Sequence, residues 1–322
     1  MPTCTDGVQD GKETDIDCGG GACGGCATGK MCGAASDCAS GVCTGGVCQS
    51  NGCPAGFVIV PSGPPANRSF CVAQFEMKQV NGGAVSQAAG TPWVSIGHDA
   101  ANAACTALGT HAITNAEWMT VARNIEGNAV NWSGGSVGAG AINTGHSDGA
   151  PNAALSVSDT TNPFDQTNNS ANQGPDQKRT HVLSNGQVLW DFAGNVYEHV
   201  GDSITTPGYL SSLTSSCDCN VTIEYNAGTI TAGLRTIFGP ANSAYSSAQG
   251  MGNLWGYYTY ATLWRGGSWN KDIGSTGNTC AGSPWNGVGC VGAPAGIYAA
   301  APGPNYGSTS YGYSALGFRC AK

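Results

Sequence analysis

Sixteen cysteines are the residues of this chain best equipped for chemistry. A thiolate can ligate zinc or copper or attack a substrate, and two thiols can close a disulfide. The count is even and large, and no Cys-x-x-Cys pairs with histidines in a zinc-type spacing. The set therefore reads as a disulfide framework made in an oxidising compartment. Eight of them (Cys4, Cys18, Cys23, Cys26, Cys32, Cys38, Cys43 and Cys48) lie within residues 1–50. Eight cysteines admit on the order of a hundred pairings, among which sequence does not choose. Asp10, Glu13, Asp15 and Asp17 cluster in "DGVQDGKETDIDCGG", where oxygen ligands for calcium or a solvated acidic turn are the two readings. The spacing is not that of an EF-hand, which favours the acidic turn. "GGSVG" (Gly134 to Gly138) matches a nucleophile elbow, but the residues after it have no helical period, so chance in a Gly-rich chain explains it. The five histidines, His98, His111, His146, His181 and His199, show no metal-binding spacing.

Such residues need elements to hold them, and the chain offers two textures. It has 322 residues, 51 glycines and only 10% charged residues, with a net charge of −8. The acidic balance argues against nucleic-acid partners, and no run is apolar enough for membrane insertion. With no leader before Pro2-Thr3-Cys4, the chain reads as a mature or trimmed secreted protein carrying a start Met. Residues 1–50 have almost no large apolar side chains, so disulfides must replace a core there. From residue 51 the pattern changes. "CPAGFVIVP" and "SFCVAQFEMK" read as two strands joined by a Pro/Gly turn, with Cys53 and Cys71 placed to staple them. In "DAANAACTALG", Ala101, Ala104, Cys105 and Leu108 follow helical spacing and Gly109 supplies the stop. In "TNAEWMTVARNIEG", Thr114 and Glu117 form a capping box, and Trp118, Val121, Ala122 and Ile125 a buried stripe. Short strands among Gly, Asn and Ser are expected downstream, with few helices.

Four motifs in order, "TNAEW", "WDFAGNVYEHV", "LWRGGSW" and "LGFRC", resemble the formylglycine-generating-enzyme (sulfatase-modifying-factor) version of the C-type lectin fold, over residues 53–322. The implied fold class is α+β: a loop-rich C-type lectin-like domain over 51–322, preceded by a small disulfide-rich module over 1–50. That module resembles Cys-rich repeats on surface proteins of bacteria with complex envelopes, which act as spacers. The resemblance implies a Cys105–Cys320 disulfide. It also implies a structural calcium held by Gly194, Val196 and Glu198 through backbone carbonyls and a carboxylate. Family members with oxidase activity carry two copper-binding cysteines just after Arg-Gly-Gly-Ser-Trp. Here that window reads Asn270, Lys271, Asp272, Ile273, Gly274, with no cysteine before Cys280. No copper or iron and no catalytic residues are expected, and Cys280 and Cys290 read as a disulfide bracing an inserted loop.

Between Asn270 and Gly317 only Lys271 and Asp272 are charged, while seven of the eleven tyrosines fall within 257–313. Rigid aromatic rings among small polar residues are the vocabulary of a binding surface. The arrangement resembles the variable proteins diversified by retroelements in bacteria and phages, whose variable region runs between "GGSW" and "GFRC", here within 265–320. Ala295-Gly296 is similar to the "AG" pair these proteins often carry before an aromatic. Asn270, Lys271, Asp272, Trp285, Tyr298, Asn305, Tyr306, Tyr311 and Tyr313 are the candidate ligand contacts, whereas Trp269 and Phe318 are assigned to the core. The expectation is an extracellular or cell-surface protein binding a protein or glycan on another cell or particle. The alternatives are an oxidase-like enzyme on the same scaffold and a structural subunit of a surface assembly; oligomeric state is left open.

Overall fold

Sulfur holds residues 4–48 together. Four disulfides, Cys4–Cys23, Cys18–Cys26, Cys32–Cys43 and Cys38–Cys48, cross-link the segment. Cys18, Cys26, Cys32, Cys38 and Cys48 are buried against one another, and no larger side chain joins their cluster. The computed structural model describes residues 4–49, 52–147, 153–157, 178–203, 221–228, 230–256, 262–269, 295–303 and 314–322. Strands β1 (Cys43–Thr44) and β2 (Val47–Cys48) form a hairpin beside the cystines.

The acidic side chains of this segment tie down its turns. Asp17 accepts the N–H groups of Asp6 and Gly7, and Glu13 those of Asp10 and Asp17. Asp37 is buried, which opposes its ionisation. Bonds from the N–H groups of Gly33, Ala34 and Gly20 outweigh that cost and hold its carboxyl below the usual range. Gln187 Nε2 donates to Ala39 O at 3.2 Å, joining the cystine segment to the rest of the chain. The approach is close: a Cβ on Gly41 (φ +68°) would lie 2.7 Å from the Gln187 side chain.

Beyond residue 52 alternation and helical spacing take over. β3 (Phe57–Val60) and β4 (Phe70–Ala73) pair antiparallel, with Cys53 bonded to Cys71. β5 (Met77–Val80) and β6 (Gly83–Ser86) form a hairpin. Helix α1 (His98–Ala107) buries Ala101 and Cys105. Leu108, expected on the same stripe, lies one residue past the helix and is 42% exposed, because the chain has already left helical conformation. After β7 (His111–Ala112), α2 (Asn115–Glu126) begins on the expected capping box: Glu117 N–H donates to Thr114 Oγ1 and Thr114 N–H to Glu117 Oε2. Trp118, Val121, Ala122 and Ile125 are fully buried in the main core with Phe192, Leu263 and Tyr298. Each large side chain of that stripe contributes roughly 1.5–3 kcal/mol.

The remaining elements are short, as the Gly-rich texture implies. They are β8 (Thr180–Val182), β9 (Val188–Trp190), β10 (Tyr197–His199), β11 (Val221–Ile223), α3 (Ala232–Phe238), β12 (Leu254–Gly256), β13 (Thr262–Arg265), β14 (Ala300–Gly303), β15 (Leu316–Phe318) and β16 (Cys320–Ala321). Helix α3 was not anticipated; Thr231 caps it, and Leu234 and Phe238, four residues apart, are its buried side. One sheet has the order β11-β12-β14-β13-β10-β15 and another β3-β4-β16-β7. The described chain is thus mixed α+β and loop-rich, with a disulfide-bonded N-terminal segment. Cys105 on α1 is bonded to Cys320 on β16. The six disulfides among the described residues are compatible with an extracellular location. No helix among the described residues is long and apolar enough to cross a membrane.

Candidate functional site

The four motifs, far apart in sequence, converge in space. Trp118 of "TNAEW" stacks on Phe192 of "WDFAGNVYEHV" with ring centroids 4.0 Å apart. Its Nε1 donates to Ile297 O at 2.9 Å. Arg265 of "LWRGGSW" is completely buried, and its guanidinium gathers several elements at once. It donates to Asn115 Oδ1 at the start of α2, to Ile237 O and Phe238 O at the end of α3, and to Tyr298 O. Burial pulls Arg265 down to about 10, which leaves it charged at neutral pH.

This knot fixes the backbone at one end of the six-stranded sheet. Gly266 O accepts the N–H groups of Gly194 and Gly296, each at 3.1 Å, and Trp269 N–H donates to Asn195 O at 2.9 Å. Gly267 (φ +83°) packs so tightly that a Cβ would lie 2.4 Å from Ala295 Cα. Trp269 and Ala295 therefore bracket residues 270–294 with both flanks tied to the same place. The chain also returns to this end at Ala315, whose carbonyl accepts Tyr197 N–H. Thr262 pairs with Gly303 at the opposite end of the sheet, so the described residues that flank 257–261 and precede 304–313 lie there. The tyrosine-rich stretches do not all leave from one edge.

Asn270, Lys271, Asp272, Trp285, Asn305, Tyr306, Tyr311, Tyr313, Cys280 and Cys290 lie outside the described residues. Tyr298 is described, and its expected role as a ligand contact is wrong. It is fully buried, its hydroxyl donates to Glu126 Oε2 on α2, and its carbonyl accepts from Tyr225 and Arg265. Burial, then the neighbouring Glu126, pushes its phenol well above the usual range. Trp269 and Phe318 are buried, as expected of core residues.

Glu198 also has a different task from the one expected of it. It is buried completely, and its carboxylate faces Arg319 of "LGFRC": Nη2 donates to Oε1 at 2.8 Å and Nε to Oε2 at 3.1 Å. Arg319 continues to Ala73 O, Trp190 O and Asp191 O. A calcium ion on Glu198 would face a guanidinium already holding that carboxylate, so this residue does not fit the expected cation site. Val196 N–H donates to Glu76 Oε1 and Gly194 N–H to Gly266 O, so the backbone of both residues is tied down.

The Glu198–Arg319 pair belongs to a buried ionic nucleus that sequence reasoning missed. Glu76, Lys78, Arg179, Asp191, Glu198 and Arg319 are each at most 3% exposed. Arg179 grips Asp191 with Nε and Nη2, both at 2.6 Å. The signal available in sequence was Glu76 and Lys78 close to the apolar run Phe70–Ala73.

The histidines form no metal cluster among the described residues. His98 and His199 do meet, with ring centroids 5.7 Å apart, but their Nε2 atoms are committed to Val200 O and Ile96 O. His146 and His181 bond Ala153 O and Asn143 O, and His111 bonds Glu117. Burial pulls His181 and His199 down to about 4, so both are neutral at pH 7. Ser136 of "GGSVG" sits in an exposed turn with neither strand before it nor helix after it, which removes the elbow. Cys4 and Cys23 lie beside Glu13, but their sulfurs are bonded to each other. No family model and no curated protein matches this chain.

Proposed function

We propose that this is an extracellular ligand-binding protein with a C-type lectin-like head of the formylglycine-generating-enzyme type, whose aromatic-rich C-terminal segments meet a protein or glycan. One observation carries the reading: the flanks of residues 270–294 are tied together at Gly266, Gly267, Gly296 and Ala295 above the Arg265 knot. A binding loop needs such a rigid seat, because ordering a long segment on contact otherwise consumes affinity. Convergence of the four motifs around Trp118, Phe192, Arg265 and Arg319 supports the fold assignment. The sequence between Arg265 and Cys280 carries no thiol for copper, which supports binding over oxidation.

The roots of the segments select the residues to test. Trp285 lies between the tied flanks, and Tyr311 and Tyr313 immediately precede the return at Ala315. The wild-type chain, probed on glycan arrays and against surface proteins of co-occurring cells, is expected to capture a defined ligand. Replacing Trp285, Tyr311 and Tyr313 together with alanine is expected to weaken that capture at least ~30-fold, about 2 kcal/mol, with the thermal midpoint unchanged. Unaltered capture by the triple variant, or oxygen uptake by the metal-reconstituted chain, would defeat the proposal.

A further inference from the structure

His181 is fully buried on β8, and only one of its ring nitrogens has a partner. Its Nε2 lies 3.0 Å from Asn143 O. A carbonyl can only accept, so the proton of the neutral ring sits on Nε2, and Nδ1 keeps a bare lone pair. Asn143 Nδ2 in turn donates to Thr180 O at 3.1 Å, so residues 143 and 180–181 clasp each other twice. Charge reaches the ring from Lys178 before β8, from Asp191 after β9 and from Arg319 between β15 and β16. Both Asp191 oxygens already accept from Arg179. A second ring proton would therefore be buried without a hydrogen-bond partner, among more positive than negative charge. The clasp matters because of what stands on it. His146 O, three residues past Asn143, accepts Asn195 N–H at 2.7 Å. Gly194 lies so close to the same loop that a Cβ there would be 2.4 Å from Thr144 O. Gly194 N–H and Trp269 N–H then join this turn to Gly266 O and Asn195 O, the ties that seat the flanks of residues 270–294. Residues 143–146 thus buttress the seat, and the neutral His181 ring holds the first of them in place.

We propose that His181 is an acid-operated hold on that seat: a proton taken up at Nδ1 unseats the ring, frees Asn143 and loosens Gly194, Asn195 and Trp269. The step is a reversible protonation from solvent and needs no other reactant. Its regulatory meaning, release of a bound ligand in acid, rests on the binding role proposed above, whereas the hold itself does not. Burial pulls His181 from 6.5 down to about 4. In an opened chain the ring meets water again and returns toward its ordinary value. The hold is therefore complete above about pH 6.5 and is lost as the pH falls from there to about 4.

Amide hydrogen exchange of the full chain, corrected for the intrinsic rate at each pH, tests this without a ligand. His181→Gln keeps a donor for Asn143 O and has nothing to titrate. From pH 7 to pH 5, opening at Gly194, Asn195 and Trp269 is expected to rise about 20-fold more in the wild type than in that variant. An equal response of the two chains overturns the proposal. So does a matching extra rise at Val121 and Ala122 in α2, which would mean global unfolding. Nitrogen-15 spectra of wild-type His181 decide the matter even if the variant fails to fold. They are expected to show a proton on Nε2 alone at pH 7 and titration near 4; a proton on Nδ1 at pH 7, or titration near 6.5, overturns the proposal. A ligand captured as proposed above is expected to leave the wild type faster than the variant at pH 5. Failure to capture any ligand defeats the binding reading and leaves the exchange result to decide the hold.

Discussion

Replacing Arg319 with methionine is expected to destabilise the chain by about 3–5 kcal/mol, read as a lower guanidinium midpoint at unchanged slope. The size reflects the groups that the guanidinium leaves behind. Glu198 is completely buried and both its oxygens accept from Arg319, so the variant strands a carboxylate in the core. The carbonyls of Ala73 and Trp190 lose a donor at the same time. Those two end β4 and β9, so the damage spreads beyond the ion pair. Lysine is expected to restore only part of the loss, because a point charge cannot reproduce a forked set of donors. Pairing Arg319→Met with Glu198→Gln is expected to recover stability relative to Arg319→Met alone, since the stranded charge is gone. A single Arg319→Met variant within about 1 kcal/mol of wild type would show that the pair does not organise β10.

Removing the Cys105–Cys320 disulfide by changing both residues to serine is expected to cost about 5 kcal/mol. The bond spans 215 residues, and most of its effect falls on the unfolded chain. The Cys53–Cys71 bond spans only 18 residues and staples neighbours that β3 and β4 already hold together. Its removal is expected to cost at least about 2 kcal/mol less than that of the longer bond, which is the share set by loop closure. Both halves of the long bond are fully buried, where serine hydroxyls would lack the space and partners of a surface position. Equal midpoints for the two double variants would contradict the loop-length argument.

Helices α1 and α2 were legible because their signals are local. Thr114 and Glu117 are three residues apart, and the stripe from Trp118 to Ile125 follows one helical face. The Cys53–Cys71 staple was legible for the same reason, as it joins adjacent strands. The Cys105–Cys320 bond came from resemblance, since nothing in the spacing of those two residues indicates it. The pairing of the first eight cysteines was illegible because compact loops leave many partners within reach. Tyr298 was misplaced for a plain reason. Most of its sequence neighbours are small, as around a surface ring, and long-range packing in the main core, including the contact with Glu126, 172 residues earlier, buries it. The ionic nucleus was hidden likewise: Glu198 meets Arg319 across 121 residues and Glu76 meets Asn195 across 119. Local patterns show which residues suit a helix or a strand, whereas long-range pairs decide which polar groups are structural.

Timed surface labelling of tyrosines on the folded chain, read residue by residue after digestion, tests the binding account most directly. Tyr197, Tyr225 and Tyr298 are buried and are expected to react only after unfolding. Tyr306, Tyr311 and Tyr313 are expected to react at the rate of free tyrosine and to slow when ligand is added. Rings at 306, 311 and 313 that stay as protected as Tyr298 in the absence of any ligand would contradict it.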